Sequence, residues 1–138
     1  MPTSEVIYEG ELRCNATHIQ SGTTIFTDAP LDNFGKGETF SPTDLLATSL
    51  GLCIITIMGI EANKRKVNID GTKLTIQKIM GTLPRRLTKI EVEIIVPNRN
   101  LSDRDKQMIE EAGLNCPVAK SLHPDLIQEI KFNYILES

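Results

Sequence analysis

The sequence predicts an α+β fold: antiparallel sheets packed around one long, buried central helix. Three observations carry this. Short β-branched runs fill the N-terminal stretch, and a long apolar segment with a strong helix start, SPTDLLATSLGLCIITIMGIEANK, occupies the middle. A hairpin with strict alternation then precedes two more helix signals and a final strand. The order β-β-β-α-β-β-α-α-β groups strands together rather than alternating them with helices, as α+β folds do. With 138 residues, the chain is expected to form a single domain over residues 1–138. That length suffices to bury roughly two-thirds of the surface an unfolded chain exposes.

Each element has a local cause. Glu5–Glu9 and Leu12–Cys14 mix polar and apolar positions around Gly10, which suits a bulge or turn. Ser21-Gly22 is a tight-turn signal leading into the β-branched run Thr23–Thr27. Residues 28–40, DAPLDNFGKGETF, show no periodicity and predict a long loop, a place where function concentrates. Ser41-Pro42-Thr43-Asp44 then supplies a capping hydroxyl, a proline in the first turn and an acid at the positive end of the helix dipole. This helix should run to about Lys64. It is apolar nearly all the way round, more than one short chain can cover, so a second copy is expected in an obligate homodimer.

Downstream, Lys73–Met80 and Leu87–Val96 predict a hairpin turning around Gly81 to Arg86. Ile90, Val92, Ile94 and Val96 should face a core, with Lys89, Glu91 and Glu93 in water. Ser102 caps an amphipathic helix that Gly113 should stop, and Cys116-Pro117 opens a short third helix reaching about His123. Ile127–Leu136 is the last strand.

Composition narrows the function classes. The formal charge is −3, with both signs spread along the chain, unlike the clustered basic face of a nucleic-acid binder. Lys64, Arg65 and Lys66 read as a solvated helix end. The N-terminus lacks the basic-then-apolar pattern of a signal peptide, and the uncharged run Leu45–Ile60 is shorter than the roughly 20 residues a membrane span needs. Three cysteines do not suggest a disulfide-stapled secreted module, so a cytoplasmic protein with reduced thiols is expected. No cofactor is implied. Cys14 and His18 could form half a metal site, but no second pair stands at ligand spacing.

Two of the cysteines carry chemistry. Cys53 lies inside the apolar helix, where an isolated thiol is more often a small core hydrophobe. Cys116 sits at a helix start in LNCPVAKSL, where free amides and the dipole lower a thiol pKa. The two become a redox pair if folding brings them together. Cys14 has no such partner motif and reads as an ordinary strand residue. His18 and His123 stand alone, His123 as a cation at a helix end.

The two cysteine segments resemble those of the osmotically inducible protein C and organic hydroperoxide resistance (OsmC/Ohr-like) family. SPTDLLATSLGLC is similar to the family's Pro-x-Glu-Leu-Leu run ending at a cysteine in the central helix. NCPVAKSL is close to its Cys-Pro-Val-x-Lys segment, and the spacing and element order cover nearly the whole chain. The resemblance implies an intertwined homodimer whose sites form at the subunit interface. It also implies reduction of organic hydroperoxides by a peroxidatic cysteine, mapping to Cys53, with Cys116 as the resolving cysteine. An external dithiol would then reduce the disulfide. One departure points to a general branch of the family. The organic hydroperoxide resistance proteins place a glutamate directly after the proline, paired with an arginine from the N-terminal strands. Here that position is Thr43, and the acid, Asp44, comes one residue later.

A peroxidatic thiol must ionise, and burial opposes that. Cys53 lies about three turns into its helix, too deep for the dipole to help much, so it needs a cation. Arg13 is the leading candidate, with Lys36 and Lys120 as alternatives. Asp44 lies on the opposite helix face from Cys53 and about 13 Å away along the axis. It therefore acts from a partner chain, through a bend near Gly51, or only as a capping acid. The face of Cys53 comprises Leu46, Ser49, Leu50, Ile57 and Ile60. Apolar side chains there and at Ile54 and Met58 are core, or line a pocket favouring alkyl over hydrogen peroxide. Two other readings stay open: a non-enzymatic dimeric scaffold or ligand binder, and a different thiol or persulfide exchange.

Overall fold

The computed structural model describes residues 1–136 of the chain. The element order is as expected: β1 (Ser4–Gly10), β2 (Arg13–His18), β3 (Thr24–Asp28), α1 (Pro42–Lys64), β4 (Lys73–Thr82), β5 (Arg85–Asn98), α2 (Asp103–Leu114), α3 (Pro117–Ser121) and β6 (Ile127–Leu136). The chain divides into two compact units, Met1–Leu46 and Ala47–Ser138.

The first unit is an antiparallel sheet of order β1-β2-β3. Its first hairpin turns through Gly10, Glu11 and Leu12, all at positive φ, with a register shift between Tyr8 and Gly10. The second closes when the His18 N–H donates to the Thr23 carbonyl at 2.8 Å, four residues wide rather than the two of Ser21-Gly22. This sheet has no apolar core of its own among the described residues. Only Asp28 and Ser41 are buried in the unit, while Ile7 is 61% and Phe26 50% exposed. The long loop is tightly folded, with a 3-10 turn at Leu31–Asn33. The Gly37 N–H donates to the Ala29 carbonyl at 3.2 Å, and Gly35 lies so close to Ala29 that a side chain there would overlap its carbonyl.

In the second unit, β4 and β5 form the predicted hairpin, but the strands run on to Thr82 and Arg85 and leave a two-residue turn at Leu83-Pro84. The expectation of purely antiparallel sheets does not extend to β6, which joins β5 in parallel, Val92 opposite Ile130 and Val96 opposite Tyr134. The physical reason is the connection: the α2–α3 segment carries the chain back to the starting end, as a parallel crossover requires. The alternation of β5 is as predicted. Ile90, Val92, Ile94 and Val96 are buried, and Lys89 on the other face pairs with Glu129 of β6 at 2.7 Å.

Helix α1 runs without a break through Gly51. Its 23 residues make it long and apolar enough, by length and composition alone, to cross a bilayer, which corrects the expectation that the run is too short. Here it is a core helix along one stripe only: Ala47, Leu50, Ile54, Met58 and Ala62 are buried with the β5 residues and Ile109 of α2. Gly51 lets the helix approach β4, since a side chain there would overlap Ile76. The opposite face is bare, with Leu52 61% exposed.

Helix α2 has the expected reciprocal cap between Ser102 and Asp105, and Asp105 also holds Arg65 at 2.9 Å. Tyr134 donates its hydroxyl to Glu110 at 2.7 Å, and Lys106 lies 4.9 Å from the Tyr134 ring centroid, docking α2 on β6. Gly113 does not stop this helix, which continues to Leu114 with Asn115 as its cap. It is instead a contact point between helices: an added Cβ would lie 2.8 Å from Met58 Cγ and 3.0 Å from Ile54 Cγ2. Gly113→Val is therefore expected to destabilise the fold by about 1–3 kcal/mol through overpacking, read as a lowered urea midpoint. A variant as stable as the parent would show that the α1–α2 contact is loose.

Candidate active site

The second unit brings the two motif cysteines together. Cys53 sits on α1, half-buried at the margin of the core, and Cys116 caps α3 and is fully buried. Both are free thiols, and the Cys53 thiol lies within hydrogen-bonding and electrostatic range of Cys116. The local cause at Cys116 is its extended backbone (φ −67°, ψ 156°) just before Pro117, which turns its side chain onto the helix start. The Ala119 N–H donates to Cys116 Sγ at 3.4 Å.

The expectation that the helix start lowers the Cys116 pKa is overturned. Burial pushes its pKa up and outweighs the Ala119 amide, and the neighbouring Cys53 adds to the rise. Removal from water disfavours a thiolate more than one weakly placed amide can favour it. At neutral pH Cys116 is a protonated thiol beside a more accessible one, and no basic side chain figures among the groups that shift it most.

The residues around Cys53 divide. Leu50, Ile54 and Met58 are core. Ser49 and Ile57 are half-buried, whereas Leu46 and Ile60 lie exposed.

In the first unit, Arg13 of β2 stands opposite Asp28 of β3. Its Nε and Nη2 donate to the two Asp28 carboxylate oxygens at 2.7 and 2.8 Å, and Nη2 also donates to Glu38 at 2.7 Å. Asp28 is 1% exposed, while the Glu38 side chain is 63% exposed. The pairing holds the Asp28 carboxyl below the usual carboxylate range and raises Arg13 further above its already high value. Asp28 and Glu38 escaped the sequence reading. Opposite charges on facing strands were the available signal, but pairing position 13 with 28 requires the hairpin register, which the Ser21-Gly22 signal misplaces.

The other expected residues are occupied locally. Lys36 is paired with Glu11 at 2.7 Å. Asp44 accepts from the Ser41 N–H at 2.9 Å while its own N–H donates to Ser41 Oγ at 3.0 Å, a reciprocal cap. Thr43 Oγ1 lies 3.1 Å from Ser41 Oγ. Lys120 is exposed at the end of α3. Cys14 lies between Tyr8 and Thr27 in the sheet, and His18 Nδ1 is 2.6 Å from Ser21 Oγ.

Comparison with known proteins agrees with this architecture. A family model described as OsmC-like protein matches residues 35–131, well over half of the chain. The chain is 47% identical to a protein from Psychrobacter arcticus 273-4, described as a candidate osmotic stress induced and detoxification response protein, with a TM-score of 0.92 over 96% of each chain. The fold also matches that of an organic hydroperoxide resistance protein OsmC from Legionella pneumophila, at 14% identity and a TM-score of 0.71 over 97% of each chain. A further match is the organic hydroperoxide resistance protein OhrB of Bacillus subtilis, at 18% identity and a TM-score of 0.62 over 96% of this chain and 98% of that one. No curated protein matches the sequence significantly. With two cysteine segments meeting in one unit and a family match that spans both of them, the chain belongs to the OsmC-like protein family.

Proposed function

We propose that the protein is a thiol-dependent peroxidase that reduces organic hydroperoxides, acting in the cytoplasm as a homodimer. The observation that carries this reading is the adjacency of two free thiols from distant segments, one accessible and one buried. In this scheme the Cys53 thiolate attacks the terminal peroxide oxygen. The O–O bond breaks, the alkoxide leaves and takes up a proton from water to become the alcohol, and Cys53 becomes a sulfenic acid. Cys116 then gives its proton to the departing hydroxide as its sulfur attacks the Cys53 sulfur, forming the disulfide and releasing water. An external dithiol returns two electrons and two protons, becoming a disulfide itself.

In this reading Arg13 is the cation of the reaction, and Asp44 holds the start of the helix bearing the nucleophile. A second copy supplies the missing cover. The coreless first sheet and the bare face of α1 each leave apolar side chains in water that a second copy would cover. Half-buried Ile57 and exposed Leu46 and Ile60 on the Cys53 face of α1 give an alkyl tail somewhere apolar to bind, favouring organic peroxides over hydrogen peroxide.

The test is chemical. One equivalent of cumene hydroperoxide should remove two thiols per chain and yield a Cys53–Cys116 disulfide, mapped by peptide mass spectrometry. Thiols that survive millimolar peroxide would count decisively against the reading. A second reading, a non-enzymatic dimer or a thiol-exchange protein, is favoured by Thr43 and by the commitment of Arg13 to two acids. It predicts a peroxide-insensitive pair or preference for a persulfide donor.

A further inference from the structure

We propose that Asp28 is a positioning residue for Arg13, fixing the plane and reach of its guanidinium while Glu38 is an exchangeable partner. The proposal rests on the reading that Arg13 serves the reactive thiol, and it concerns an acid outside both cysteine motifs.

The two acids on Arg13 differ in kind. Asp28 grips the guanidinium at two points, Nε on Oδ1 and Nη2 on Oδ2, and a bidentate grip fixes orientation as well as distance. Asp28 is itself held. Its Oδ2 accepts from the Glu38 N–H at 3.1 Å, and its own N–H donates to the Phe40 carbonyl at 3.1 Å. With 1% exposure, releasing Arg13 would leave a buried carboxylate unpaired, which is strongly disfavoured. Glu38 meets Arg13 by one oxygen from a side chain 63% exposed, the kind of pair that contributes little and exchanges readily. Both grips use the Nε and Nη2 side of the fork, so the Nη1 donors are committed to neither acid. An acceptor arriving at Arg13, whether thiolate or peroxide oxygen, therefore meets a cation already oriented and can bind at Nη1 or take the place of Glu38.

Asp28→Asn tests this, because the amide keeps the size and cannot accept both donors. Activity on cumene hydroperoxide should fall up to about 100-fold, as small misplacements of a reacting group do. Alkylation of Cys53 by iodoacetamide at pH 7 should slow in parallel, with the circular dichroism spectrum unchanged. In an Arg13→Ala background, Asp28→Asn should add almost nothing, since the acid acts through the arginine. An undiminished Asp28→Asn variant beside an impaired Arg13→Ala variant overturns the positioning role and leaves the peroxidase reading standing. So does an equal loss from Asp28→Asn in both backgrounds. A fully active Arg13→Ala variant removes Arg13 from the reaction, and Asp28 with it. Should Asp28→Asn fail to fold, Arg13→Lys keeps the charge without the bidentate grip. It is expected to be nearly as impaired as Arg13→Ala, and full activity would sink the proposal.

Discussion

Cys53→Ser should abolish hydroperoxide reduction, lowering the rate on the order of 1,000-fold or more, as loss of an attacking nucleophile does. A serine hydroxyl is scarcely ionised at neutral pH and cannot be oxidised to a sulfenic acid, so no compensating route exists at that position. The substitution is nearly isosteric at a half-buried site on the margin of the core, so the fold should survive and the thermal transition should move little. The check is peroxide consumption with dithiothreitol as reductant, followed by a ferrous-xylenol assay. A Cys53→Ser protein that still turns over would move the chemistry to another thiol. Cys14 is the other partly exposed one.

Cys116→Ser should separate the two half-reactions. The first equivalent of peroxide should be consumed as in the parent, because Cys53 is retained. Turnover should then stop at about one per subunit, because no thiol stands beside the sulfenic acid to convert it into a disulfide. Dimedone should label Cys53 in this variant and not in the parent. The geometry favours a clean result. Cys116 is an N-cap whose sulfur accepts from Ala119, and serine is among the preferred residues at such a position. A variant that turns over like the parent would mean that Cys116 is only a buried neighbour, and the reducing thiol comes directly from solution.

Much of the fold is legible in the amino-acid sequence because its signals are local. The start of α1 follows from Ser41, Pro42 and Asp44, residues whose preference is set within one helical turn. The alternation of Ile90, Val92, Ile94 and Val96 places one face of β5 in the core for the same reason: the period of a strand is a property of its own backbone. Where the structure differs from the sequence signal, the deciding contact lies elsewhere in the chain. Gly113 has the chemistry of a helix stop, and only the approach of Met58 and Ile54 makes it a packing residue inside the helix. The direction of β6 depends on where α2 and α3 set the chain down, and its own residues are indifferent to parallel or antiparallel neighbours.

The candidate site follows the same division. Both motif cysteines were legible, since each sits in a short segment with a distinctive pattern. The acidity of Cys116 was not: the helix start argued for an ionisable thiol, and tertiary burial reversed it. Asp28 and Glu38 could not be found at all, because the acid on Arg13 is chosen by strand register and by the fold of residues 29–40.

By itself, then, the amino-acid order determined the elements, the caps, the faces of β5 and the two thiol motifs, all of which arise from interactions within a few residues. Only the folded chain decided that the thiols are neighbours, that one is kept protonated by burial, and that Arg13 is held by a buried aspartate. Those depend on desolvation and charge pairing between segments far apart in sequence, and such terms take their size from the surroundings that folding creates.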